Sequence, residues 1–176
     1  MDEKHQQQNI IRETSGNNEN RFIFVVWSAA RRFERQVIDE IGTRFNILRT
    51  FEVIWPKCHF THNLASFYGW KGWFCWWNKA RKCGKGPFLV IEVEDPTPMW
   101  QQIRDTSGHL LTCDKNIYDL KHFLRKLTGH SNRIHSSISP EETRHQLAAL
   151  ESKDEPIPFR QMQYQDVANG AEDTRT

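Results

Sequence analysis

The sequence predicts an α+β domain in which helices pack on a mainly antiparallel four-stranded sheet. Short β-rich apolar runs alternate with stretches of helical periodicity, and turn or capping residues separate them. The order strand–helix–strand–(helix)–strand–helix–strand–helix is typical of the split βαβ, or ferredoxin-like, arrangement, with a small doubly wound parallel sheet as the alternative. The predicted elements are strands 21–29, 46–55, 87–94 and 133–136 and helices 31–45, 61–68, 116–127 and 139–150.

The first half of the domain alternates strand, helix, strand and short helix. The run RFIFVVWSA, residues 21–29, is rich in β-branched and aromatic side chains. Apolar residues then recur at helical spacing from Phe33 to Phe45, which predicts an amphipathic helix. The run NILRTFEVIW is a second strand, which Pro56 ends because proline cannot donate to a β-ladder. Residues 61–68 are predicted to form a short helix.

The second half begins with the clearest strand, PFLVIEVE at residues 87–94. Apolar side chains at helical spacing predict a helix over 116–127, and a short buried strand is predicted over 133–136. The last helix has a start signal: Ser139 as the N-cap, proline at the first helical position and Glu142 at the third, as in a capping box.

Charge divides the chain into a basic domain and two polar ends. Residues 1–20 carry a net charge of −2, residues 151–176 carry −3, and residues 21–150 carry +7. Both ends lack a sustained apolar period, so we expect them to be disordered tails. The alternative for the scattered apolar residues from 157 to 167 is a short segment that packs on the domain or on a partner. Within the domain, residues 69–85 form a Trp- and Lys-rich insert to which the sequence assigns no element.

Composition excludes several classes of protein. No apolar run approaches the roughly 18 residues that span a bilayer, and the polar N-terminus is unlike an export signal. Aromatic residues make up 12% of the chain, including seven tryptophans, which excludes wholesale disorder. Four cysteines are too few for a dense disulfide framework. We therefore expect a soluble domain with reduced thiols, in the cytoplasm or nucleus and away from membranes.

The sharpest local motif is SNRIHSS, which ends just before the last helix. His135 in this motif can present a ring nitrogen beside hydroxyl groups and a helix start, and a helix start attracts phosphate. A neutral imidazole also suits phosphoryl transfer, because one nitrogen can attack while an acceptor holds the other. The alternative is a half-buried histidine at a strand end with serines that only cap the helix. The motif by itself favours that alternative.

A second group of residues has the chemistry of a zinc site. Cys58, His59 and His62 lie close in sequence, with Cys75 and Cys83 downstream. Zinc sites usually contain a Cys-x2-Cys pair, which is missing, and free cysteines commonly behave as small buried apolar residues. The sequence therefore favours buried cysteines over a zinc site.

The insert combines Lys and Arg side chains with aromatic side chains. Aromatic faces can stack bases while cations hold phosphates, as in single-stranded nucleic-acid binding or in binding of one nucleotide. Burial of the rings in the core or in a homo-oligomer contact is equally compatible with the composition. The candidate residues are Trp73, Trp76, Trp77, Lys79, Arg81, Lys82 and Lys85.

Two segments in the same order carry a resemblance to a known family. The run CGKGPFLV from Cys83 is similar to a Met-Gly-Ser-Gly-Pro segment, and NRIHSSIS from Asn132 is similar to Asn-Ile-Ile-His-Gly-Ser-Asp-Ser, which leads into a Glu-rich helix. Residues 21–150 therefore resemble the nucleoside diphosphate kinase superfamily. Members of that superfamily have a ferredoxin-like fold and carry a histidine that a nucleoside triphosphate phosphorylates.

The resemblance implies a nucleotide-binding phosphotransferase that takes nucleoside di- and triphosphates with Mg²⁺. His135 would be the nucleophile. The implied phosphate-binding residues are Thr106, Asn132 and Ser137, with Lys121 or Arg125 in place of an arginine-bearing loop of the family.

Two departures from the family support a second hypothesis. The family's first strand ends in Lys-Pro-Asp-Gly, where this chain has Trp27-Ser28-Ala29-Ala30, so the lysine that reaches the phosphates is missing. The glutamate that orients the histidine corresponds to Gln146. The alternative is therefore a non-catalytic module on the same fold that binds nucleotides or single-stranded nucleic acid. An oligomerising scaffold is a third possibility.

Overall fold

A computed structural model describes residues 19–69, 76–104, 108–130, 132–151 and 159–162. The strands are β1 (Arg21–Val26), β2 (Asn46–Val53), β3 (Phe88–Glu94), β4 (Trp100–Arg104), β5 (Leu110–Asp114), β6 (Ile134–Ser136) and β7 (Phe159–Met162). The α-helices are α1 (Glu34–Gly42), α2 (Phe60–Phe67), α3 (Trp76–Cys83), α4 (Lys115–Leu127) and α5 (Pro140–Glu151), and a 3-10 helix, Ser28–Phe33, precedes α1.

The main sheet has the strand order β6-β1-β3-β2-β7, and all of its neighbours are antiparallel. Its first four strands confirm the predicted four-stranded antiparallel sheet and the α+β, ferredoxin-like class. β1 lies between β3 and β6, where Val25 pairs with Val90 on one side and with His135 on the other. This register brings the histidine motif onto the sheet.

Helices cover both faces of the sheet. Successive side chains of a strand point to opposite faces, so β1 contributes to two apolar clusters. Val25 and Trp27 pack with α2, α3 and the end of α5, whereas Phe24 and Val26 pack with α1 and α4. Burial of both faces explains why β1 and β3 read as continuous apolar runs. Because His135 pairs with Val25, its side chain lies on the face covered by α2, α3 and α5.

Three features of the fold differ from the favoured predictions. β4 and β5 form a separate two-stranded sheet, and most of their side chains are exposed, so they lack the apolar signal of a buried strand. The first predicted helix begins as a 3-10 helix at Ser28, which the apolar period alone does not distinguish from an α-helix. Finally, β7 pairs with β2 at the edge of the main sheet, within the segment 151–176 that was expected to be a tail.

The remaining parts of the predicted tails, residues 1–18, 152–158 and 163–176, lie outside the described residues. Within the part of the chain that the structure describes, no helix is both long and apolar enough to cross a membrane.

Candidate active site

His135 is the middle residue of β6 and is only 4% exposed. Two aromatic rings meet its imidazole edge to face: Phe67 with a centroid distance of 5.4 Å and Tyr68 with one of 4.8 Å. Both rings come from the end of α2. The histidine predicted as a nucleophile therefore lies inside the packing between the sheet and the helices.

A chain of hydrogen bonds along α5 orients the imidazole. His135 Nε2 is 3.0 Å from Gln146 Oε1, and Gln146 Nε2 donates to Glu142 Oε1 at 2.9 Å. Glu142 Oε2 in turn accepts from the backbone N–H of Ile138 at 2.9 Å. Because the Gln146 amide nitrogen faces the carboxylate, its oxygen faces the ring. His135 therefore donates from Nε2, and the neutral ring has no proton on Nδ1.

The local sequence explains why Glu142 and Gln146 are in position to form these hydrogen bonds. Ser139 Oγ accepts from the backbone N–H of Glu142 at 3.2 Å, which confirms Ser139 as the predicted helix N-cap. Glu142 satisfies Ile138 N–H in a variation on the capping box. Since residues four apart share one face of a helix, Gln146 stands next to Glu142.

Two cationic side chains from α4 lie along the edge of β6 that is not paired with β1. Lys121 is buried and its Nζ donates to the backbone oxygen of Ser136 at 2.7 Å. Arg125, one turn later, donates from Nε to the oxygen of Ile134 at 3.1 Å. Burial lowers the pKa of Lys121 to about 8 and also lowers the pKa of Arg125. Both side chains hold β6 in place and keep positive charge beside the histidine.

A third cation approaches from α3. Lys79 Nζ lies 3.1 Å from the ring centroid of Tyr68, and Tyr68 stacks on Trp76 with centroids 5.7 Å apart. This is the geometry of a cation–π contact. Burial lowers the pKa of Lys79 to about 8 and raises the pKa of Tyr68 well above its ordinary value. The Tyr68 hydroxyl therefore stays protonated and can donate a hydrogen bond.

The electrostatics of the site keep His135 neutral. Burial lowers the pKa of the imidazole well below its ordinary value, and the positive charges of Lys121, Lys79 and Arg125 lower it further. The hydrogen bond to Gln146 acts in the opposite direction but is weaker. At pH 7 the ring is an uncharged base with an available lone pair.

These groups border a cavity of about 590 Å³, which we call the central cavity. Tyr68, Trp76 and Lys79 line one side, Lys121 and Gln146 line another, and β5 and the first turn of α5 complete it. The volume lies within the range of small-ligand sites. His135 lies directly behind Tyr68 and Gln146, so a reacting group would reach the ring through this wall.

The structure brings together some of the predicted phosphate-binding residues and separates others. Lys121 lines the central cavity and Arg125 lies beside β6. The Ser137 hydroxyl is buried and engaged, since it accepts from Ile23 N at 2.9 Å and from Thr143 Oγ1 at 2.8 Å. Asn132 N–H donates to His130 Nδ1 within the preceding turn. Thr106 lies outside the described residues.

The aromatic and basic residues of the insert divide between two faces of α3. Trp76 and Lys79 face the central cavity. The exposed residues of the opposite face are Trp77, Arg81 and Lys82, and Lys85 follows in the turn after the helix. Trp73 lies outside the described residues.

Sequence reasoning missed two residues of the site. Tyr68 was included only as the last residue of a predicted short helix, yet its ring contacts both His135 and Lys79. Glu142 was recognised only as a capping residue, although it also fixes the amide of Gln146. The four-residue spacing of Glu142 and Gln146 was the available signal, whereas no local pattern pairs Tyr68 with a strand 67 positions later.

The candidate zinc ligands do not form a cluster in the described residues. Cys83 is buried, its thiol contacts Asn132 O at 3.2 Å, and burial raises its pKa to about 12, so it is held as a thiol. Cys58 is exposed, and Cys75 lies outside the described residues. Within the described part of the chain, no three His, Cys, Asp or Glu side chains converge as metal ligands.

Two carboxyl groups hold the start of α4, the helix that carries Lys121. Asp114 is its N-cap, and Oδ1 accepts from the backbone N–H of Asn116 at 2.9 Å and of Met99 at 3.3 Å. Its Oδ2 is buried and has no hydrogen-bond partner among the described residues, and the carboxyl group of Asp95, which is also buried, accepts from Asn116 Nδ2 at 2.9 Å. Burial raises the pKa of Asp114 to about 6, and the Asp95 carboxyl adds to the rise.

Asp114→Asn is expected to stabilise the protein at neutral pH. The folded state favours protonated Asp114, so its contribution is complete below pH 4 and is lost as the pH rises through about 6. A shift of two pKa units corresponds to about 3 kcal/mol at most. Asparagine keeps the capping oxygen and carries no charge at any pH. Thermal unfolding from pH 4 to 8 should show a variant-minus-native difference in stability that is near zero at pH 4 and positive at pH 7.

The matched control is Asp119→Asn, an exposed partner of Lys115 on the same helix, whose difference should stay flat. A flat difference for Asp114→Asn would contradict the raised pKa of Asp114.

Comparison with known proteins relates the fold to solved structures. No protein-family profile matches the sequence, and no curated protein matches it significantly. The nucleoside diphosphate kinase from Encephalitozoon cuniculi superposes with a TM-score of 0.50 over 80% of this chain and 94% of that chain, at 15% identity. The fold is that of nucleoside diphosphate kinase. The Aquifex aeolicus nucleoside diphosphate kinase also matches, with a TM-score of 0.48 over 76% of this chain and 96% of that chain, at 15% identity.

Proposed function

We propose that this chain binds a nucleoside di- or triphosphate in the central cavity and transfers the terminal phosphoryl group through His135. The observation that carries the proposal is the hydrogen-bond chain from Glu142 through Gln146 to His135 Nε2. It gives the ring the tautomer that a nucleophilic histidine needs. The nucleoside diphosphate kinase fold supports the same reaction class.

The charge balance around the histidine favours a phosphate ligand. Lys79, Lys121 and Arg125 all lie close enough to lower the pKa of His135. Two of these cations have pKa values near 8, so their charged forms lack full compensation by the protein. Glu141 and Glu142 are the acids that line the cavity, and the two oxygens of Glu142 are engaged by Gln146 and Ile138. The negative charge of a phosphate would stabilise all three cations.

The proposed reaction has two steps, transfer of a phosphoryl group to His135 and transfer from His135 to an acceptor diphosphate. The Nδ1 lone pair attacks the terminal phosphorus of a nucleoside triphosphate, the bond to the bridging oxygen breaks, and the diphosphate leaves with that electron pair. Gln146 Oε1 keeps the Nε2 proton in place as positive charge develops on the ring. A terminal oxygen of an acceptor diphosphate then attacks the phosphorus, and the N–P bond breaks. Mg²⁺ belongs to this scheme as part of the metal–nucleotide substrate.

The test is phosphoryl labelling with γ-³²P-ATP and Mg²⁺. The native chain should take up label that is acid-labile and alkali-stable, as phosphohistidine is, and should lose it to added nucleoside diphosphate. His135→Ala should take up none. Gln146→Leu keeps the nucleophile but removes its acceptor, so labelling should slow by about 10²-fold or more. Circular dichroism and thermal unfolding of each variant separate loss of chemistry from loss of fold.

His109→Ala is the matched control, because this histidine is exposed and does not line the central cavity. It should label at the native rate. Label on folded His135→Ala would show that another residue is the nucleophile and would overturn the proposal. A native chain that binds ATP but takes up no label would also overturn the transfer step.

That last outcome would support a second function, nucleotide binding without transfer. Two observations favour it: Trp27 is packed in the core where the kinases have a phosphate-binding lysine, and the acceptor for His135 is the neutral Gln146. A neutral amide stabilises a developing imidazolium less well than a carboxylate.

The expectations of a homo-oligomer and of a cytoplasmic or nuclear location stay predictions.

A further inference from the structure

α3 has a second face, which lies outside the central cavity. Trp76, Ala80 and Cys83 are buried against the domain. The exposed side chains of the outward side are Trp77, Arg81 and Lys82, and the half-buried Lys85 follows in the turn after the helix; we call these four residues the outer stripe. Four residues of an α-helix rise about 6 Å, so Trp77 and Arg81 stand about one turn apart along the helix.

Trp77 is exposed to an unusual degree for its size. Its side chain is 75% accessible, the highest value among the large hydrophobic residues that the structure describes. Lys85 Nζ lies 5.6 Å from the centroid of its ring, and a shallow depression of about 590 Å³ lies between Trp77, Asn78, Arg81 and Lys85. An indole face beside a shallow depression is a surface on which a planar ring can stack.

The charge of this face has one sign. Residues 76–87 contain no Asp or Glu, and three of their four cationic side chains, Arg81, Lys82 and Lys85, belong to the outer stripe. Asn78 Oδ1 accepts from Arg81 Nη2 at 3.3 Å, which orients the guanidinium next to the tryptophan. The adjoining 3-10 helix contacts α3 and adds the exposed Arg32. A partner of this surface must therefore be anionic and must carry flat rings.

We propose that the outer stripe binds single-stranded nucleic acid, with a base stacked on Trp77 and backbone phosphates on Arg81, Lys82 and Lys85. The combination of a stacking ring with successive cations is how such strands are bound without sequence choice. A duplex fits less well, because its bases are already stacked on one another. This binding goes beyond the proposed phosphoryl transfer and uses the opposite face of the same helix.

The test is fluorescence anisotropy with a fluorescein-labelled 20-nucleotide oligothymidylate. Three phosphate contacts on a single strand predict a salt slope of about −2, so affinity should fall about 20-fold between 50 and 200 mM salt. Trp77→Ala should weaken binding about tenfold or more. Arg81→Glu/Lys85→Glu should weaken binding further and reduce the slope.

Matched variants control for surface and charge. Trp100→Ala removes another partly exposed tryptophan, on β4, and Arg35→Glu/Lys126→Glu makes the same charge change on α1 and α4. Both should bind as the native chain does. Native affinity in Trp77→Ala, equal binding of a 20-base-pair duplex, or no binding at 50 mM salt would each overturn the proposal. Trp77→Ala should label on His135 at the native rate, so this binding and phosphoryl transfer can fail separately.

Discussion

Replacing Trp27 by lysine, the residue that the resemblance to nucleoside diphosphate kinases aligns with it, is expected to unfold the domain rather than to improve phosphate binding. Trp27 is 1% exposed and its ring centroid lies 4.7 Å from that of Phe88 and 5.9 Å from that of Phe67. Trp55 and Phe60 complete a cluster of five aromatic rings. The position belongs to the core.

The expected loss exceeds what a domain of this size tolerates. Truncating a buried tryptophan costs about 3–5 kcal/mol, and burying an unpaired ammonium adds several more. Domains are stable by about 5–15 kcal/mol in total. Trp27 also packs on Phe67, whose ring contacts Tyr68, so the change would disturb the wall in front of His135.

Urea unfolding followed by circular dichroism measures this effect. Trp27→Lys should show no cooperative transition, whereas the control Trp27→Phe keeps an aromatic ring and should lose only about 1–2 kcal/mol. A folded Trp27→Lys protein with near-native stability would show that position 27 tolerates a charge and that the aromatic cluster is dispensable.

Gly84→Ala is expected to give the second large loss of stability. Gly84 follows α3 with φ +80°, and a Cβ there would lie 2.8 Å from Ser28 Oγ and 3.0 Å from the backbone nitrogen of Ala29. The positive φ alone costs an alanine about 1–2 kcal/mol. Displacing the backbone of the 3-10 helix adds roughly 1–3 kcal/mol, because well-packed structure resists extra volume.

Gly108→Ala separates the two costs. Gly108 has φ +85°, but no atom of the described residues, its chain neighbours aside, lies within 4 Å of the position that its Cβ would take. It should therefore lose about 1–2 kcal/mol in the same unfolding experiment, and Gly84→Ala about 2–5 kcal/mol. Equal losses for the two variants would mean that the contact between Gly84 and the 3-10 helix does not matter for stability.

The elements with strong local signals were predictable from sequence. β3 was expected over 87–94 and is Phe88–Glu94, and the last helix begins at Pro140, directly after its predicted N-cap. Such elements follow from apolar period, proline and capping groups, which act over a few residues. The β4–β5 hairpin was missed because its side chains are mostly exposed, so neither strand shows a buried apolar period.

The candidate site was predictable only in part. His135 was identified from its motif, and Lys121 and Arg125 were named as phosphate ligands. Their arrangement depends on the faces of β6: His135 points towards α2 and α5, whereas the backbone oxygens of β6 bind the cations of α4. Which face each residue occupies follows from pairing with β1, 110 positions earlier.

The sequence by itself determined the class of the domain, its main strands and helices, and the presence of a histidine before a capped helix. Only the tertiary structure decided that Trp27 is a core residue, that Tyr68 and Gln146 enclose His135, and that the cationic residues of α3 divide between two faces. The reason is physical. Secondary structure responds to neighbours a few positions away, whereas burial, pKa and hydrogen-bond partners are set by contacts between distant segments, and strand register creates those contacts.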